Sequence, residues 1–175
     1  MLATVPVLHA AAPVVSHATT SMVEAAYSLR CAGADRAPAD VVAHARRDGW
    51  SADADVAGHG QLVHDPSGAM TLRVTESDVS GERFVGCGIE TDGDLTDIDT
   101  ATTAALGMRP AFQGTGAATF LAVRKNGTWR DPAGLDRAAF ATAKAHGEVY
   151  SVMTHHDAAR SALFSLNIQP SGTPR

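Results

Sequence analysis

Two stretches of this chain alternate apolar and polar residues with a period of two. In one, Met70, Leu72 and Val74 interleave with Thr71, Arg73 and Thr75; in the other, Ala162, Phe164, Leu166 and Ile168 stand at every second position. Alternate residues of a strand point to opposite faces, so this pattern predicts strands with one face buried and one wet. Strands of that kind pair antiparallel, and their apolar face needs a second layer to cover it. The chain must therefore supply helices, and 175 residues suffice for one domain with a sizeable core.

The helices are legible from their ends. Residues 38–48 carry Pro38 at the first helical position, Asp40 in the first turn, and Arg46 and Arg47 in the last. Val41, Val42 and Ala45 give its buried face, Gly49 suits the left-handed position after the helix, and Trp50 folds back behind it. A short helix is expected over 21–31 with Met22, Ala25, Ala26 and Leu29 inward, stopped by Gly33. A third is expected over 94–106, capped by Asp94 and ended by Gly107, with Leu95, Ile98, Thr102 and Ala105 on one side. A fourth is expected over 132–146, closed by Gly147.

Turn chemistry orders the strands. Asp65, Pro66, Ser67 and Gly68 fit a type I turn between strands 61–65 and 69–76. Residues 77–82 turn again into a strand over 83–90. Residues 112–118 read as a loop before a strand over 119–125. Asn126 and Gly127 are the strongest hairpin signal, returning the chain through 128–130. Strands over 148–154 and 161–169 complete the domain. Strands in runs, not strictly alternating with helices, predict an α+β fold: a mainly antiparallel sheet with helices packed on one face. The expected organisation is a signal or flexible apolar segment over 1–20, one domain over 21–170 and a tail over 171–175.

Composition removes several function classes. Hydrophobic residues make up 45% and charged residues 19%, unlike a disordered charged tail. The net charge of −5, without a basic stripe, argues against nucleic acid as a partner. No window approaches the roughly 18 apolar residues of a membrane helix. The segment 1–18 is rich in Ala and Val and ends in Ser16, His17 and Ala18, small enough at the end for signal peptidase. It lacks the usual positive start, so a segment packed on the domain is the other reading.

Cys31 and Cys87 are the only cysteines. Cys87 shares a strand face with Val85 and Ile89, and Cys31 ends a helix. In an oxidising compartment the two can pair; in a reducing one they are small core hydrophobes. Cys31, the helix ending in Asp48, Gly49 and Trp50, the strand holding Cys87, and the helix ending in Ala105, Leu106 and Gly107 follow in an order that resembles small uncharacterised exported proteins of GC-rich Gram-negative bacteria. That resemblance spans about residues 22–169. It implies export to the periplasm or beyond and a Cys31–Cys87 disulfide, and it implies no activity. A cytoplasmic location is the alternative.

Chemistry-bearing motifs are sparse. Asp92, Asp94, Asp97 and Asp99 fail the calcium-loop template, because Asp97 and Thr103 stand where it needs Gly and Glu. Gly114, Thr115 and Gly116 lack the lysine of a phosphate loop. Trp50 and Trp129 read as packing residues. Among eight histidines, His59, His64, His155 and His156 with Asp157 are the one group able to form an open metal site, provided that the first and last hairpins lie side by side. The expected function is a non-enzymatic exported module, without cofactor, binding a protein or a small ligand. The alternative is a small metal-dependent hydrolase built on His59/His64 and His155/His156/Asp157; a cytosolic accessory subunit is a third reading.

Overall fold

A computed structural model describes residues 17–32, 37–52 and 60–171. These residues form an α+β fold of four α-helices and a nine-stranded, wholly antiparallel sheet. The strands are β1 (Ser51–Ala52), β2 (Gln61–His64), β3 (Met70–Val79), β4 (Glu82–Asp92), β5 (Phe112–Gly114), β6 (Ala117–Lys125), β7 (Thr128–Arg130), β8 (Val149–His156) and β9 (Arg160–Pro170). The helices are α1 (Thr20–Arg30), α2 (Pro38–Arg47), α3 (Ile98–Leu106) and α4 (Arg137–Ala145). Across the sheet the order is β1-β2-β3-β4-β9-β8-β6-β5, with β7 also pairing β6.

Register assigns each residue to a face. Leu72, Ile89, Leu163, Thr154 and Ala118 form one cross-strand row, and Val74, Cys87, Ser165, Val152 and Phe120 form the next. All ten are buried, and α1, α2 and α3 cover them. On the opposite face α4 packs Phe140 and Ala143 over Val123, Val149 and Ile168 at one end. The middle of that face carries Phe164, half-buried, lying over Gly86 and Gly88 of the neighbouring strand. A Cβ at either glycine would collide with the Phe164 ring, so the two glycines make room for the aromatic side chain.

The last strand reverses its expected orientation. Ala162, Phe164, Leu166 and Ile168 lie on the half-open face, while Ser161, Leu163, Ser165 and Asn167 face the main core. Hydrogen bonds make the polar set compatible with burial. Ser161 accepts from the Leu95 N–H and donates to the Gly93 carbonyl, both at 2.8 Å. Asn167 donates to the carbonyls of Gly147 (2.7 Å) and Val149 (3.0 Å). Ser165 donates to the Cys87 carbonyl at 3.3 Å. Small side chains here also let α1 approach the sheet, where Cys31 and Cys87 sit at disulfide distance with Cα atoms 5.3 Å apart.

Helix α1 likewise presents a different stripe. Val23, Tyr27 and Cys31, spaced by one turn, are buried, whereas Met22 and Leu29 are exposed. Cys31 ends this stripe, at disulfide distance from Cys87. Arg30 is also buried: it donates to Asp48 at 2.5 Å and lies 5.4 Å from the Trp50 ring centroid, tying α1 to the end of α2. Gly49 takes φ +86°, and the Trp50 N–H reaches the Ala45 carbonyl at 3.1 Å while the Gly49 N–H reaches that of Arg46. This is the left-handed helix stop read from the sequence.

Other boundaries moved. Helix α3 starts at Ile98, not at Asp94, because the Asp94 carboxylate binds His156 and Asp97 accepts from Thr20. The expected loop over 112–118 is a hairpin, β5 to β6. The expected helix over 132–146 splits into a 3₁₀ turn (Pro132–Gly134) and α4, the latter capped by Asp136 accepting from the Ala139 N–H. Strands β3 and β4 run three and one residues further toward each other than expected, joined by Ser80 and Gly81, both at positive φ.

Asn126 and Gly127 form the expected two-residue turn, at φ +50° and +79°. Replacing Gly127 by Val leaves space for the side chain but forces a β-branched residue into the left-handed region. A loss of about 1–2 kcal/mol is expected, measured by denaturant unfolding. Oxidised protein is expected to show no alkylatable thiol by intact mass. Reduction, which opens a loop spanning 56 residues, is expected to cost about 4 kcal/mol of stability.

Candidate functional site

Two histidines, His64 and His155, share one row of the half-open face. Residues His64, Thr71, Glu90, Ala162, His155 and Ala117 stand side by side across β2, β3, β4, β9, β8 and β6. His64 and His155 are therefore in line but four strand spacings apart, about 19 Å. His64 shares a 3.0 Å hydrogen bond with Thr71. Between the two histidines Glu90 receives Arg73 through both carboxylate oxygens, at 2.6 and 3.2 Å. The Glu90 hydrogen bond raises the Arg73 pKa, outweighing the desolvation that lowers it.

His155 and His156 diverge, as adjacent strand residues must. His155 approaches Asp157 at 3.1 Å, whereas His156 turns to the other face and meets Asp94 at 2.9 Å. Asp157 itself is engaged in the β8–β9 turn. Its carboxylate accepts the N–H groups of Ala159 and Arg160 at 2.8 and 2.9 Å, and these bonds, with His155 after them, hold it below the ordinary carboxylate range. Among the described residues no three His, Cys, Asp or Glu side chains are grouped to hold a metal ion. His59 lies outside the described residues, as does the signal-like segment up to Ser16. Cys31 and Cys87 stand at disulfide distance from each other.

The convergence lies elsewhere, between α1, α3 and the covered face of the sheet. Among the described residues, Glu24 Oε1, Tyr27 Oη and Thr102 Oγ1 are buried side-chain atoms without a hydrogen-bond partner. Most buried polar atoms are satisfied, so three orphans in one place require a reason. All three residues line the same cavity of about 90 Å³. Val152 and Leu163 form its floor, Trp129 and Leu106 its walls, and the exposed Ser28 and Ala105 its mouth.

Local structure places each group. Glu24 and Tyr27 are three apart on α1, hence neighbours on one side of the helix. Thr102 lies one turn after Ile98 and one before Leu106 on the inward side of α3, and is 2% exposed. Trp129 comes from β7, with the Tyr150 ring edge-on at 5.3 Å and the Arg124 guanidinium 5.2 Å from its centroid. Burial pushes the Tyr27 phenol up to about 12; Ser165 approaches it and offsets part of that rise without reaching hydrogen-bond geometry. Burial also raises the Glu24 carboxyl, and the charge of Asp97 raises it further.

Sequence patterning does not single out this set. It places Thr102 on the apolar line of α3, where a hydroxyl is the available signal. Glu24 and Tyr27 are hidden by the choice of the Met22–Leu29 stripe for α1. Trp129 reads as a packing residue, and Tyr150 and Arg124 occupy two of its sides. No family model, curated protein or solved structure matches this chain.

The raised Glu24 pKa makes a signed prediction. The native state holds this proton more tightly than the unfolded chain, so stability falls as pH rises from the ordinary value of 4.5 through the folded one. A Glu24→Gln variant stays neutral throughout. It is expected to be more stable than wild type at about pH 7 and to lose that advantage at about pH 3.5, read from denaturant midpoints at the two pH values.

Proposed function

We propose that the protein is an exported, non-enzymatic module that binds a small ligand in the cavity between α1 and α3. The observation that carries this reading is the convergence of three partnerless buried polar atoms on one cavity. Leaving a buried hydroxyl or carboxyl unpaired costs about 1–3 kcal/mol each, a cost that a fold without use for the groups readily loses by substitution. A ligand supplying the missing partners turns that cost into affinity and specificity. Apolar walls with a few convergent polar groups are the usual make-up of a ligand site. The cavity is smaller than a typical pocket, which limits the ligand to a handful of non-hydrogen atoms.

Export is supported by the Cys31–Cys87 pair, whose bond persists in oxidising compartments such as the periplasm. The pair also stands close to the site. Cys31 follows the last turn of α1, the helix that carries Glu24 and Tyr27, and Cys87 fixes that turn to the centre of the sheet. Among the described residues no helix is long and apolar enough to cross a membrane.

Thr102→Val tests the reading, since it removes the hydroxyl and keeps the shape. The variant alone is expected to gain about 1 kcal/mol through loss of a buried orphan. Compounds from a fragment library that raise the melting temperature of wild type are expected to lose that effect on the variant. Fragment hits that stabilise both proteins equally would place binding away from this cavity and overturn the reading.

A further inference from the structure

The cavity has a charge preference. Among the described residues that line it, Glu24 is the one acidic side chain, and none is a lysine, arginine or histidine. Asp97 stands close enough to Glu24 to add a second negative charge to its surroundings. The Arg124 guanidinium lies against the Trp129 ring, and its charge acts on the Tyr27 phenol. One end of the cavity is thus negative, and the other is aromatic and apolar.

We propose that this cavity binds a small organic ammonium ion, with its N–H groups on Glu24 Oε1 and Thr102 Oγ1 and its alkyl part against Leu106, Val152 and Leu163. The inference rests on the small-ligand reading above and adds the charge class. An ammonium group carries three donors and no acceptor. The partnerless atoms it would meet are a carboxylate oxygen, which accepts only, and a threonine hydroxyl, which has lone pairs to offer. Thr102 is only 2% exposed, so its hydroxyl is shielded from bulk solvent and faces the cavity. An anionic ligand would set like charge against Glu24 with Asp97 behind it. A neutral alcohol could donate to Glu24 and accept from the Thr102 hydroxyl, but it would leave the carboxylate without a counter-charge.

Size and orientation agree with this choice. A cavity of about 90 Å³ admits an ammonium on a short chain and excludes anything as large as a peptide or a nucleotide. Arg124 repels the charged end from the Trp129 side, so the nitrogen is directed to Glu24 and the chain to the floor. The Arg124 guanidinium already lies over one side of the Trp129 ring, which leaves that ring to serve the ligand as an apolar wall.

The test uses the oxidised full chain and three probes of equal length: propylammonium chloride, 1-propanol and sodium propionate, at constant ionic strength. Binding is followed by two-dimensional NMR, reading the backbone signals of Glu24 and Thr102 and the indole of Trp129. Propylammonium is expected to shift these signals saturably, 1-propanol to bind about tenfold more weakly, and propionate not to bind. Glu24→Gln is expected to bring propylammonium down to the level of 1-propanol. That variant keeps the shape of the cavity and is expected to fold at least as well as wild type. If 1-propanol or propionate shifts the same signals as strongly as propylammonium, the ammonium class is overturned while the cavity remains a ligand site. If none of the probes moves these signals, the ammonium proposal falls. If in addition library hits ignore Thr102→Val, the small-ligand reading falls with it.

Discussion

The eleven registered pairs between β4 and β9, from Glu82 opposite Pro170 to Asp92 opposite Arg160, hold the molecule together. On one side of this ladder the chain runs β1 to β4 as a meander; on the other, β9, β8, β6 and β5 follow in reverse order. Each half alone would end in a long strand with unpaired backbone groups, a liability that natural sheets avoid. Pairing the two long strands satisfies both at once and produces one sheet wide enough to carry three helices. The side chains along the ladder are correspondingly economical. Gly86 and Gly88 yield to Phe164 on one face, while Cys87 and Ser165 keep the other face low enough for α1.

That low surface decides where the candidate site forms. Helix α1 comes down onto β4 and β9, anchored at its last turn by Cys31 and tied sideways to α2 through Arg30 and Asp48. Asp48 is held below the ordinary carboxylate range by the Arg30 hydrogen bond, consistent with a working ion pair. Helix α3 approaches from the other direction and is held by Thr154, whose hydroxyl donates to Asp99 at 2.5 Å while accepting from the Ala118 N–H at 3.1 Å. Two helices anchored independently do not close on each other completely. The gap between them is lined by Glu24 and Thr102, and Trp129 stands at its side. The site is thus a consequence of how two rigid attachments are spaced, and the residues in the gap give it chemical character.

The half-open face shows the contrary case. It gathers charged and imidazole groups, yet each already has a partner, as in Arg73 with Glu90 and His155 with Asp157. A flat antiparallel sheet separates residues of one row by whole strand spacings, so ligands drawn from β2 and β8 cannot meet without a fold that curls the sheet. Histidine count and sequence proximity are therefore poor guides here. Partnerless groups on facing elements are the better sign of a site.

From residues alone, the α+β class, the Gly49–Trp50 helix stop, the Asp65–Gly68 turn and the Asn126–Gly127 hairpin were all legible. Each depends on local backbone preference, which a few neighbouring side chains express in any context. The pairing partner of each strand was not legible, because β4 and β9 are nearly eighty residues apart and nothing local marks one for the other. The inward face of β9 followed from that pairing. Its apolar set, Phe164 and Leu166, went to the half-open face, and Ser165 lies on the covered face beside Cys87. Helix α1 likewise turned its Val23–Tyr27–Cys31 stripe inward. The sequence by itself determined the elements and their turns through local sterics and hydrogen bonding. Only the tertiary structure decided which faces meet, and so brought Glu24, Tyr27 and Thr102 around one cavity, since burial is a property of the packed layers and not of any one segment.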